Sequence, residues 1–198
     1  MKTTITTLFL LFCSLVPTRA QTEPGSHYRN FPLIVTLQFH ALSLPFRDLK
    51  ANFQNVGIGI GTEISYNGKN NWAQQFSLAW WGNRAIGNGL LLYSQVVWRP
   101  GASPGIFGEL KAGAGYLYSF RPNAYEQVNG VWKPAGRKGK GMLALPVGVS
   151  LGYDSYAKNA YVSPFVAYQF MLVKGYNDSV PLVPQTLIQA GVRIHRGE

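Results

Sequence analysis

The sequence predicts an all-β chain closed into an eight-stranded antiparallel up-and-down transmembrane β-barrel. Three observations predict it: eight segments whose side chains alternate with a period of two, a near-absence of charge inside them, and connections alternating between long and short. The 198-residue chain has 18 Lys+Arg against 8 Asp+Glu, yet only 13% of its residues are charged. A soluble domain usually carries ~25%. Apolar and aromatic content exclude a disordered chain, and 22 Gly with 12 Pro argue against a helical bundle.

Residues 1–20 read as a secretory signal, leaving 21–198 as the barrel domain. Lys2 supplies the positive start, Leu8 to Val16 a short apolar core, and Pro17-Thr18-Arg19-Ala20 a small-residue site for cleavage before Gln21. That core is too short to span a bilayer as a helix. Cys13, the single cysteine, lies inside it, so the mature chain has no disulfide, thiolate metal site or cysteine nucleophile. With Lys2 and Arg19 removed, the mature charge is +8.

The alternating segments fall at 33–43, 56–66, 71–82, 90–98, 106–120, 143–153, 160–172 and 185–195. In the first, LIVTLQFHALS, His40 falls on the polar face. In the second, Val56, Ile58, Ile60, Thr62, Ile64 and Tyr66 share one face, and Gly57, Gly59, Gly61, Glu63 and Ser65 the other. The third and fourth are NWAQQFSLAWWG and LLLYSQVVW. Along the fifth, Ile106, Leu110, Ala112, Ala114, Tyr116, Tyr118 and Phe120 oppose Phe107, Glu109, Lys111, Gly113, Gly115 and Ser119. The sixth, LALPVGVSLGY, and seventh contain Pro146 and Pro164, each of which removes a ladder donor. The eighth, from Gln185 to His195, carries Arg193.

These spans contain four formal charges, Glu63, Glu109, Lys111 and Arg193, all on the small or polar face. A soluble sandwich would show Lys, Glu and Thr freely on the face opposite its core. Here that face is mainly Gly, Ala, Ser and Gln, which makes it the packed inside and the apolar face the lipid side. The intervening segments, 44–55, 67–70, 83–89, 99–105, 121–142, 154–159 and 173–184, run long and short in near alternation, as extracellular loops and periplasmic turns do. An even strand number returns both termini to the periplasm. Aromatics gather near strand ends, with Tyr66, Trp72, Trp98, Tyr153 and Tyr161 at one rim and Phe39, Trp80, Trp81, Tyr118 and Phe120 at the other. These positions suit the two interfacial girdles.

On this combination of signal, strands, loop order and girdles, the chain resembles the small eight-stranded outer-membrane β-barrel proteins over essentially all of 33–195. The resemblance is architectural, carries no catalytic residues with it, and implies a bacterial outer-membrane location. Such barrels commonly finish on an aromatic residue, whereas this chain ends Val192-Arg193-Ile194-His195-Arg196-Gly197-Glu198.

Eight strands enclose a lumen just wide enough for side chains to fill it. Glu63, Glu109, Lys111 and Arg193 all fall in its periplasmic half and balance as two acids and two bases, a salt-bridge plug or, alternatively, an ion relay. His40 and Ser43, with Asp48 in the following loop, are the residue types of a Ser–His–acid nucleophile, though spacing sends Ser43 to the opposite face from His40. Loop 121–142 holds Arg121, Lys133, Arg137, Lys138 and Lys140 against Glu126, the densest positive charge in the chain, with Tyr125 and Trp132 as aromatic anchors. Its chemistry suits lipopolysaccharide phosphates, an acidic surface glycan or an acidic patch on a partner protein of the outer membrane. Nucleic acid does not fit an exported barrel.

No cofactor motif, Walker loop or metal-ligand spacing is present, and His27 and His195 build no metal cluster with His40. The reading is therefore a non-enzymatic outer-membrane barrel: a structural or surface-interaction protein, or an accessory subunit of an outer-membrane complex. A lipid A-modifying hydrolase or acyltransferase using His40 and Ser43 stays open, as does a small pore.

Overall fold

The computed structural model describes residues 31–42, 53, 55–68, 71–83, 87–100, 105–120, 125–128, 130–134, 139–154, 161–175 and 182–195. Residues 1–20, which the sequence reads as a signal, lie outside them. Ten strands form: β1 (Leu33–Ala41), β2 (Asn55–Ser65), β3 (Trp72–Trp81), β4 (Asn88–Trp98), β5 (Ile106–Phe120), β6 (Tyr125–Val128), β7 (Val131–Pro134), β8 (Gly139–Tyr153), β9 (Tyr161–Lys174) and β10 (Leu182–His195). Eight of them close a barrel in the order β1-β10-β9-β8-β5-β4-β3-β2, every neighbour antiparallel, while β6 and β7 make a separate two-stranded sheet.

Alternation decides which face closes inward. In β2, Val56, Ile58 and Ile60 are more than half exposed on the outside, while Gly57, Gly59 and Glu63 are buried in the lumen. In β8, Leu143, Leu145, Val147, Val149 and Leu151 face out, and Met142, Ala144 and Ser150 face in. A continuous belt of exposed Leu, Val, Ile and rings around a polar-to-small interior is stable only when lipid replaces water on the outside. Among the described residues no helix is long and apolar enough to cross a membrane. The strands cross it instead.

Predicted and observed strands coincide for β5 and shift by one or two residues at the ends of β1 to β4. β9 likewise shifts by one residue at its start and two at its end, and the larger differences lie at the starts of β8 and β10. β8 starts at Gly139, within a stretch that reads as loop. There the rings of Tyr116 and Tyr118 on β5 lie across Gly141 and Gly139, where a side chain would collide with them. The glycines that signal a turn in sequence are here the floor under two aromatic rings. The prolines sit where pairing on one side is absent. The β5–β8 ladder skips between Ala112↔Val147 and Gly115↔Ala144, beside Pro146, and the β8–β9 ladder ends at Gly152↔Phe165, just before Pro164.

These extensions shorten the last long connection to 175–181, no longer than the turn at 154–160. Asymmetry between the ends of the barrel is therefore carried by 42–54 and by the segment holding β6 and β7. The end with the chain termini and the connections 66–71, 99–105 and 154–160 is called the turn end below; the other is the loop end.

Candidate functional site

The lumen is layered. At the turn end all four predicted charges are buried and joined: Glu63 from β2, Glu109 and Lys111 from β5, and Arg193 from β10. Two further charges, which the sequence assigns to turns, are buried at the same end, and one of them, Arg99, joins the group. Arg99 is fully buried and Asp154 nearly so. Each follows a strand end by one residue, and each is held by an extra backbone bond, Arg99 N–H to Asn71 O at 2.8 Å and Asp154 N–H to Gly105 O at 2.9 Å. Alternation thus continues one residue past the strand: Trp98 and Tyr153 point out, so Arg99 and Asp154 point in. Continuing the parity into the turn would have found both.

Arg99 Nη2 donates to both carboxylate oxygens of Glu63, at 2.6 and 2.7 Å, and its Nε to Glu109 at 2.5 Å. Arg193 Nη2 lies 2.8 Å from Glu109 and 3.2 Å from Glu63. Lys111 Nζ completes the group, 2.8 Å from Glu109 and 3.1 Å from Gln75 Oε1. The Ser150 hydroxyl donates to Glu109 as well, and Ser163 donates to Asp154 at 2.5 Å. Phe107 and Phe165 supply ring faces to Arg193 at 5.6 Å each, and Phe165 another to Lys111 at 5.1 Å. Among the described residues, Glu63, Glu109 and Asp154 are buried at this end together with Arg99, Lys111 and Arg193. Buried charge is tolerable only when paired and hydrogen-bonded in this way.

Above the ions runs a girdle of amides. Gln169 donates to Gln189 at 2.9 Å, Gln189 donates to Gln38 at 3.0 Å, and Gln38 donates to the carbonyl of Ile58 at 3.1 Å. Next toward the loop end comes an apolar layer that includes Trp81, Leu91, Leu117, Met142, Met171 and Leu187. Trp81 belongs to this layer, not to the outer girdle where the sequence reading put it. Adjacent residues on a strand point to opposite faces, so only Trp80 faces out. Of the other described rim aromatics, Tyr66, Trp72, Trp98, Tyr153, Tyr118 and Phe120 are exposed, with Trp72 and Trp98 stacked at 6.0 Å, while Phe39 is half-buried against Phe53.

His40 lies in the lumen at the loop end, as its parity predicts. Its ring stacks on Trp81 at 4.5 Å, and Nε2 lies 2.9 Å from Gln185 Oε1. Nδ1 is buried without a hydrogen-bond partner among the described residues. The recess beside it, lined in part by Ser119 and Met142, has room for about one water. An amide, not a carboxylate, orients the imidazole. Ser43 and Asp48 lie outside the described residues, so no Ser–His–acid group is assembled among those described. Nor do the described residues bring three or more His, Cys, Asp or Glu together to hold a metal ion.

Of the basic residues in 121–142, Arg121, Arg137 and Lys138 lie outside the described residues. Lys133 sits on β7 and Lys140 on β8. The single long loop of the sequence reading is in part a β-hairpin, β6 paired with β7 from Val128↔Val131 to Tyr125↔Pro134. Asn129-Gly130 is the dipeptide that most strongly marks such a turn.

Closed order, outward apolar belt and filled polar lumen define the protein as a small eight-stranded transmembrane β-barrel of the outer-membrane type. No family model matches the chain, and no curated protein matches it. Among solved structures it is similar to Neisserial surface protein A, at 13% identity and a TM-score of 0.49, covering 83% of this chain and 95% of that one. It is also similar to the N-terminal β-barrel domain of Pseudomonas aeruginosa OprF, at 14% identity and a TM-score of 0.46, covering 82% and 96%. A third is Ail, the attachment invasion locus protein of Yersinia pestis, in complex with the heparin analogue sucrose octasulfate. Its identity is 13% and its TM-score 0.45, covering 83% and 97%.

Proposed function

We propose that this protein is a non-enzymatic barrel of the bacterial outer membrane, with both termini in the periplasm, that works as a surface-interaction protein through its loop end. The observation that carries the reading is the filled lumen. An ion cluster, an amide girdle and an apolar layer succeed one another along the axis, and the side chains that form them are buried against one another among the described residues. Function then falls to the surface. The segment 121–142 carries five basic residues against one acid, and of the predicted outer loops it holds most of the positive charge. Lipopolysaccharide phosphates and acidic patches on outer-membrane proteins are the anionic groups within its reach.

The test replaces Lys133, Arg137, Lys138 and Lys140 together with Ser and measures co-purification of lipopolysaccharide and protein from native membranes in mild detergent. Reduced association is expected. Association equal to wild type would refute the surface reading. Membrane fractionation with heat-modifiable gel mobility tests location on the same samples.

A further inference from the structure

His40 keeps one ring nitrogen unused. Its Nε2 lies 2.9 Å from Gln185 Oε1. A carbonyl oxygen can only accept, so in the neutral ring Nε2 carries the hydrogen and Nδ1 is left as a bare lone pair. The side chain is fully buried, and Nδ1 has no hydrogen-bond partner among the described residues. Metal-binding histidines are held in this manner, an oxygen fixing the N–H of one nitrogen so that the other meets the ion. The recess beside the ring is bordered by Met142 from β8 and by Trp81, whose indole stacks on the imidazole. Gly89 on β4 borders it as well. A side chain there would collide with the Trp81 ring, so the bare backbone at Gly89 is what seats the indole.

From this set of groups we propose that the recess binds a single soft monovalent metal ion of the Cu(I) type, held by His40 Nδ1 and the thioether of Met142. Donor chemistry selects the ion. Imidazole and thioether are both neutral, and thioether sulfur favours Cu(I) over hard divalent cations. No residue bordering the recess is acidic, so an ion of single charge brings the least uncompensated charge into the apolar layer. The face of the Trp81 ring adds attraction for a cation. A space of about one water admits the bare ion and not a hydrated one. Zinc calls for a tetrahedral set drawn from His, Cys and carboxylates, which the described residues do not bring together. The site lies inside the barrel and stands apart from the surface reading above.

The experiment titrates the full-length barrel, folded in detergent and kept anaerobic, with Cu(I) against a chromophoric Cu(I) chelator. Uptake at the site is expected, and Met142→Leu should weaken it about tenfold or more. Met171→Leu removes a thioether of the same apolar layer that does not border the recess, and should leave affinity within about twofold. Both exchanges nearly conserve volume. In the wild type, Ag(I) as a redox-inert stand-in should shift the Nδ1 resonance of isotope-labelled His40 and leave Nε2 protonated. That measurement decides the matter without any variant having to fold. No uptake of Cu(I), a metal-induced shift at Nε2 in place of Nδ1, or Zn(II) displacing Cu(I) at equal concentration overturns the proposal. Met142→Leu binding as wild type, in a barrel with normal heat-modifiable mobility, overturns it too.

Discussion

Glu63 receives guanidinium groups from both Arg99 and Arg193 at a position without solvent contact. Neutralising it leaves three buried cations, Arg99, Arg193 and Lys111, sharing Glu109. Glu63→Gln should therefore destabilise the barrel by about 3–5 kcal/mol, read as a lower temperature for loss of compact gel mobility, with no change in conductance. A variant as stable as wild type would remove the plug from the account. Much of this site was legible, because period-two parity alone puts Glu63, Glu109, Lys111, Arg193 and His40 inside. Arg99 and Asp154 were not found, since parity was stopped at the strand end while the backbone ladder carries it one residue further. Trp81 shows the reverse case: beside Trp80 its aromatic character suggests the outer girdle, whereas parity sends it into the lumen.

At the scale of the strand, the outward residues face lipid and should tolerate apolar exchange but not charge. Ile60, near the middle of β2 and more than half exposed, is the test position. Ile60→Arg should cost about 2–4 kcal/mol in folding from urea into bilayers, and Ile60→Leu much less. Equal effects would place that face against something other than lipid. Existence and order of the eight barrel strands were readable, because nine to fifteen residues give alternation enough repeats to stand out. The β6–β7 hairpin was not, because four residues hold only two periods. The Asn129-Gly130 turn was its one local signal. The loop-end extension of β8 is hidden by Gly and Lys, which read as turn chemistry until the Tyr116 and Tyr118 rings supply the cover over Gly141 and Gly139.

For the molecule as a whole, the layered lumen predicts that the purified protein inserts into planar bilayers without stepped conductance. Steps sustained in the wild type would revive the pore reading. Trp81→Ala should lower stability by about 3–5 kcal/mol and still leave the bilayer sealed, since Leu91, Leu117, Met171 and Leu187 remain in the same layer. The ion cluster has a further consequence, for the order of folding. It draws on residues as distant in sequence as Glu63 and Arg193, and the amide girdle links Gln38 to Gln189, 151 positions apart. Neither network can be completed until β10 has met β1. A half-zipped intermediate would hold unmatched ions and open strand edges in hydrocarbon, so intermediates are penalised on both counts. Closure of the ring is then close to all-or-none, slow to form because its decisive contacts are non-local, and slow to reverse once made.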